Sequence, residues 1–266
     1  MDSLEHKARV QAQFGGSASG YVDSATHATG DDLGQIVVWA EGGADRIALD
    51  VATGGGHTAL ALAPLFGQVI ASDLTVDMLR SAERFIRGQG VTTVSFRQAD
   101  AEALPFDDAA FDLVTCRIAP HHFPHVGRFV AEVARVLKPG GCFILEDSIA
   151  PEDPAFAAFL NEVEIARDPT HVRSLRLSEW RRLVVDNCLT IEAERMYPKA
   201  HPFEEWLNLA RVPADTRPRI TTYFRDATPA ARVAFNITVD SEGRITSYTD
   251  EKVVLKARRR VQVAIA

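Results

Sequence analysis

The stretch IALDVATGGGHTALAL, Ile47 to Leu62, sets three adjacent glycines between an apolar run and an alanine-leucine run. Glycine reaches left-handed backbone conformations at no steric cost, and its backbone can approach another group with no Cβ in the way. A chain ordered like this has few solutions, and the simplest is a buried strand, a tight turn and a helix. The turn either just redirects the chain or brings its backbone against a nucleotide-like molecule. The glycines by themselves leave both readings open.

The rest of the chain repeats that strand-helix rhythm. Strand patterns fall at 45–52, 68–74, 94–100, 111–118 and 142–148. Between them lie helical patterns in TALALAPLF, in TVDMLRSAERFIRGQG with its terminal glycines, and over 126–141, where KPGG reads as a helix stop. Parallel strands need such crossover helices, and the crossovers are right-handed, so helices cover both faces of the sheet. The fold class is α/β, doubly wound. Beyond Pro151 come two more helices and two more strands, at 189–197 and 250–258, with a long insertion between them. An insertion of that length is uncommon unless it covers a site. We read one domain over 1–266: an N-terminal cap (1–35), a core (36–197), a helical lid (198–248) and a last strand (249–266).

Charge and cysteine content limit the function classes. The net charge of −7 argues against a protein whose task is to neutralise phosphate backbones, and KARRR (256–260) reads as a solvated strand end. No apolar run approaches the roughly 20 residues that span a bilayer, and the first residues carry no apolar signal core. The three cysteines are far apart and read as reduced thiols of a cytoplasmic protein. A homodimer is left open.

The acids decide what the turn would hold. GGGHTA fits G-x-G-x-x-A, with Asp73 nineteen residues after Gly54, so spacing alone allows an NAD-dependent oxidoreductase. However, Asp50, Asp73 and Asp100 end three successive strand patterns. Carboxylates so placed suit a ligand with a cationic amine or sulfonium, a ribose diol and an adenine amino group, and they repel a pyrophosphate. S-adenosylmethionine fits better than NAD.

These residues carry a resemblance. LDVATGGGHTA, VIASDLTVDMLRSA, ADAEALPFDDAAFDLVTCRIAPHHF and EVARVLKPGG together resemble the class I S-adenosylmethionine-dependent methyltransferases of the ubiquinone/menaquinone-biosynthesis-like group. The likeness covers about 45–148, and Ala52 departs from the glycine usual in the first motif. It implies a Rossmann-like, seven-stranded, mostly parallel sheet with an antiparallel last strand. It further implies that Asp50 lies by the methionine amino end and that Ala52, Thr53, Gly54 and Gly56 wrap the methionine and ribose. Asp73 then takes the ribose hydroxyls, with Leu74 and Met78 near the adenine. Asp100 takes the adenine amino group, with the Ala101 amide near a ring nitrogen. Cys116, Arg117 and Ile118 contact the amino-acid part and open towards the acceptor. A cofactor-binding protein without methyl transfer is the other reading in this family.

In APHHFPHV, His122 and its neighbour His121 are candidate general bases near the acceptor, and the alternative that they only pack a short helix stays open. The prolines break helical spacing and no carboxylate ligand is near in sequence, so no metal site is expected. Phe14, Tyr21 and His27 form a candidate N-terminal gate. Phe203, Trp206, Tyr223 and Phe224 suit either a flat apolar acceptor or the insertion's own core. A small-molecule acceptor is expected, methylated at carbon or oxygen. Nucleic acid is not, since no NPPY-like tetrad follows the fourth strand.

Overall fold

The computed structural model describes residues 3–16 and 30–261. In chain order the elements are α1 (Ser3–Gly15), α2 (Asp31–Trp39), β1 (Gly43–Val51), α3 (His57–Leu62), β2 (Phe66–Asp73), α4 (Val76–Gly88), β3 (Val94–Gln98) and β4 (Phe111–Arg117). After a short 3-10 turn at Pro120–His122 come α5 (Val126–Val136), β5 (Leu137–Ile149), α6 (Pro154–Arg167), α7 (Leu177–Asp186) and β6 (Leu189–Pro202). The chain closes with α8 (Phe203–Leu209), α9 (Arg217–Arg225), α10 (Pro229–Ala234), β7 (Thr238–Val239) and β8 (Ile245–Arg259).

The sheet runs β3-β2-β1-β4-β5-β8-β6, with the two-residue β7 pairing the start of β8. Strands β1 to β5 are parallel, and β8 runs antiparallel to both β5 and β6. Strand order reverses between β1 and β4, so a crevice opens beyond their carboxyl ends. Register places Asp50 of β1 beside Thr115 of β4 and Ala71 of β2.

Each face of the sheet is closed by its own apolar layer. On one side Phe129, Val130, Val133 and Val136 of α5 and Trp180 and Val184 of α7 pack on Leu49, Val51, Val114, Phe143 and Leu145. On the other, Ile36 of α2, Ala59 and Leu62 of α3 and Ile86 of α4 pack on Ala48, Val69, Leu113 and Ile144. Successive strand residues alternate between the two layers, as the pleat requires, so these central strands read as continuous apolar runs.

Two boundaries differ from the periodicity. The helix expected over 126–141 ends at Val136, and Leu137 already pairs with Phe111 as strand. Pro139 disfavours a helical Lys138, so the chain leaves the helix before the glycines rather than at them. The last two strands are longer than their apolar cores: Pro202 of β6 still pairs with Ser247 of β8. β6 is the sheet edge, where Pro198 and Pro202 cost no ladder donor on the open side. The insertion between them therefore spans 203–244.

Gly56 has a packing role. Its φ is +88°, and a Cβ there would sit 3.0 Å from both Ala82 Cβ and Ile86 Cδ1 of α4. Gly56→Ala is expected to lower the unfolding free energy by roughly 2–4 kcal/mol, combining left-handed strain with overpacking. Urea unfolding checks this, and an unchanged midpoint would mean that α4 can give way.

Candidate functional site

The crevice holds a cavity of about 530 Å³, within the usual range for small-molecule sites. Its floor is the turn after β1. Ala52 has φ +53° and Gly54 φ +54°. The Thr53 amide donates to Ser72 O (2.8 Å) and the Gly56 amide to Thr53 O (2.9 Å). Ile118, at the end of β4, also has φ +53°. Left-handed backbone costs an alanine or a β-branched residue on the order of 1–3 kcal/mol, so the folded core imposes it on both strand ends flanking the crevice. The departure from glycine at Ala52 keeps the left-handed turn, at that cost.

Three acids line this wall. Asp50 is 1% exposed and accepts from Thr53 Oγ1 (2.6 Å) and Thr115 Oγ1 (2.7 Å). Burial pushes its carboxyl up to about 6, against the pull of both hydroxyls and of Arg117. Asp73 accepts from the amides of Gly54 (3.0 Å) and Thr75 (2.8 Å). Burial raises its pKa too, opposed by those amides. Asp100 lies beyond β3 rather than at its end, in an isolated bridge with Ala103. It accepts from the Glu102 amide (3.0 Å) and from Lys7 Nζ (2.7 Å).

The remaining expected contacts divide. Leu74, Met78, Ala101, Arg117 and Ile118 line the cavity, and Arg117 Nε donates to Asp32 of α2 at 2.6 Å. Two do not reach it. Cys116 is fully buried in the apolar layer under α5 because the strand pleat turns it away from Arg117. Gly56 faces α4, and Gly55 and His57 line the turn in its place.

The histidine turn lies opposite. The His121 ring donates from Nδ1 to Asp147 Oδ1, 2.6 Å away, and Asp147 is 1% exposed at the end of β5. The His122 ring donates from Nδ1 to Thr170 O at 2.9 Å. Because a carbonyl only accepts, the His122 Nε2 carries the lone pair. The two rings lie 4.2 Å apart between centroids, and their basicities diverge. Burial works to lower the His121 pKa, but the Asp147 charge and hydrogen bond outweigh it and raise it above 6.5. Burial and the neighbouring His121 push His122 down to about 3. The sequence placed His122 first as a base; in the fold His121 holds the orienting carboxylate.

The far rim comes from helix ends. Arg167 and Asp168 close α6, Leu209 ends α8, and Arg211 and Pro213 follow it. The insertion's aromatics do not face the cavity. Phe203, Trp206 and Phe224 pack with Tyr248 and Ile220 as a separate core, with Tyr223 at its edge. Phe14 of α1 stands edge-on to His122 at 5.1 Å. Tyr21 and His27, the other expected gate residues, lie outside the described residues. Sequence reading missed Asp147, an acid at a strand end like Asp50, and Thr115, Asp32, Lys7 and Asp168, for which no local signal exists. Among the described residues no cluster of His, Cys, Asp or Glu could hold a metal, and no helix is long and apolar enough to cross a membrane.

Comparisons with known proteins fit this geometry. A methyltransferase-domain family model matches residues 49–145. The uncharacterized methyltransferase YcgJ of Bacillus subtilis is 38% identical over 250 residues, covering 94% of this chain and 99% of that protein. The UbiE ubiquinone/menaquinone biosynthesis C-methyltransferase of a Marinomonas species is 35% identical over 113 residues, 41% of this chain and 45% of that enzyme. The crystal structure of BH2331 from Bacillus halodurans superposes with a TM-score of 0.85 at 39% identity, covering 87% of this chain and all of that one.

Proposed function

The chain belongs to the class I S-adenosylmethionine-dependent methyltransferases of the ubiquinone/menaquinone-biosynthesis-like group, and from that premise we propose that it methylates a small, largely apolar acceptor at an oxygen or an acidic carbon. The observation that carries this reading is His121 on the cavity wall, hydrogen-bonded to the buried Asp147 behind it.

The wall suits the cofactor's chemistry. Gly54 is left-handed and faces the cavity, so the backbone there leaves room that a side chain would fill. The acids Asp50, Asp73 and Asp100, when ionised, can only accept, and a nucleoside with a cationic amino-acid tail offers donors: an ammonium, ribose hydroxyls and an exocyclic amine. Asp50 with Thr53 would hold the amino end, Asp73 the ribose and Asp100 the adenine amine, while Met78 and Leu74 cover the ring. When bound, S-adenosylmethionine supplies a sulfonium methyl group open to in-line attack.

What the chain adds is orientation and a proton acceptor. Displacement at a methyl group depends mostly on alignment, which a walled cavity provides. A hydroxyl or carbon acid must also lose a proton. His121, with Nδ1 committed to Asp147, presents Nε2 as the base, and Asp147 stabilises the imidazolium that forms. Phe14, Phe123, Leu209 and Pro213 give the acceptor an apolar surround.

The test is to supply methyl-labelled cofactor with a panel of phenols, enolisable carbonyls, tertiary amines and thioethers. Label should pass to the phenols or the carbon acids. Transfer only to amines or thioethers, which need no base, would refute the reading.

A further inference from the structure

The helix α1 lies on the cofactor side of the cavity rather than over the acceptor alone. Lys7 Nζ stands 2.7 Å from Asp100 Oδ2 and 2.7 Å from Glu102 Oε2. Glu102 is buried and in turn accepts from the His125 amide at 2.5 Å, at the start of α5. One turn further along α1, Gln11 Nε2 donates to Leu74 O at 3.0 Å, where Gln98 Nε2 also donates. These bonds tie α1 to the loops after β2 and β3, more than 60 residues away in sequence.

Further along α1, Gln13 Nε2 donates to Asp168 Oδ1 at 2.7 Å and Phe14 packs edge-on against His122. Within α1 only His6 is buried, and its Nε2 donates to His122 O at 3.1 Å. Polar contacts of side chains therefore fix its position, and the Lys7 ammonium makes two of them. Lys7 itself is mostly buried, with a side chain 16% exposed. A lysine stem laid along a wall with its head between two carboxylates sets the rotamers of both. With Oδ1 on the Glu102 amide and Oδ2 on Lys7, Asp100 has one orientation, and each oxygen keeps a lone pair for a second donor.

We propose that Lys7 is a positioning residue for cofactor recognition, holding Asp100 in the orientation that accepts the adenine amino group. This rests on the placement of Asp100 at the adenine end given above. Lys7 does not touch the reacting atoms. Its work is to make the chain select a 6-amino purine over one that carries an oxygen at that position.

The experiment measures, by titration calorimetry on the full chain, the affinity for S-adenosylhomocysteine and for S-inosylhomocysteine, which replaces the amine by a carbonyl. Wild type should favour the adenine compound. Lys7→Met keeps the stem and removes the charge, and it should cut that preference by about tenfold, chiefly by weakening the adenine compound. Lys7→Arg should restore part of it. If Lys7→Met weakens both compounds by the same factor, Lys7 only anchors the helix and the proposal fails. Unchanged affinities refute it as well. Asp100→Ala, which leaves no side-chain acceptor, separates the two layers of the argument. If that variant loses the preference and Lys7→Met does not, only Lys7 is wrongly assigned. If Asp100→Ala keeps the preference, the adenine end is misplaced and both assignments fall.

Discussion

His121→Asn is expected to lower kcat by roughly 10²–10⁴-fold, the usual cost of removing a general base, with affinity for S-adenosylhomocysteine barely changed. The pH dependence should separate the two histidines. His121 has a pKa raised above 6.5 by Asp147, so its base form grows in as pH rises through that raised value. Wild-type kcat should climb through an inflection above pH 6.5 and then level off, and His121→Asn should lack the inflection. The sign for stability is the opposite. The raised pKa stabilises the fold fully below 6.5, and this contribution is lost as pH rises through the folded value. The neutral form, the one able to take up a proton, is thus the less stabilised one.

His122→Asn should behave differently. Its imidazole is held neutral, with a pKa near 3, so it has no acidic limb to lose near neutrality. As pH falls from 6.5 towards 3, the unfolded chain takes up a proton that folded His122 refuses, and stability drops. The variant should lose that component of acid sensitivity and keep the kcat inflection. An inflection that disappears with His122 and persists without His121 would reverse the assignment.

Asp73→Asn should weaken binding of S-adenosylhomocysteine by at least about tenfold, since charge-assisted hydrogen bonds to a ribose are worth roughly 1.5–3 kcal/mol each. Asparagine retains one acceptor oxygen for the turn. Asp73→Ala retains none, and it strands the Gly54 and Thr75 amides that now donate to the carboxylate. The alanine variant should therefore also lose about 1–3 kcal/mol of stability in the ligand-free protein. Calorimetry and thermal melting of both variants separate binding from scaffold. Wild-type affinity in Asp73→Asn would remove Asp73 from the cofactor site.

Much of this was written locally. Strand and helix periods, the glycine turn and the acids at strand ends lie within short windows, and each window reports one backbone conformation. Asp50 and Asp73 could be found this way because a strand end in a parallel sheet is where ligands lie. Boundaries were less legible. Leu137 becomes strand because Phe111 waits beside it, and β6 extends to Pro202 because β8 keeps pace with it.

The local pattern by itself determined the α/β class, the position of the glycine turn and the acids around it, since these depend on residues within a few positions of one another. Tertiary structure alone decided which groups meet. It turned Cys116 into the core and Arg117 to the cavity, and it gave the insertion's Phe203, Trp206 and Phe224 a core of their own. It put Asp147 beside His121 across 26 residues and Lys7 beside Asp100 across 93. The two adjacent histidines, alike in sequence, then differ in basicity: burial works against the charged form of both, Asp147 outweighs it at His121, and at His122 it is joined by the neighbouring His121.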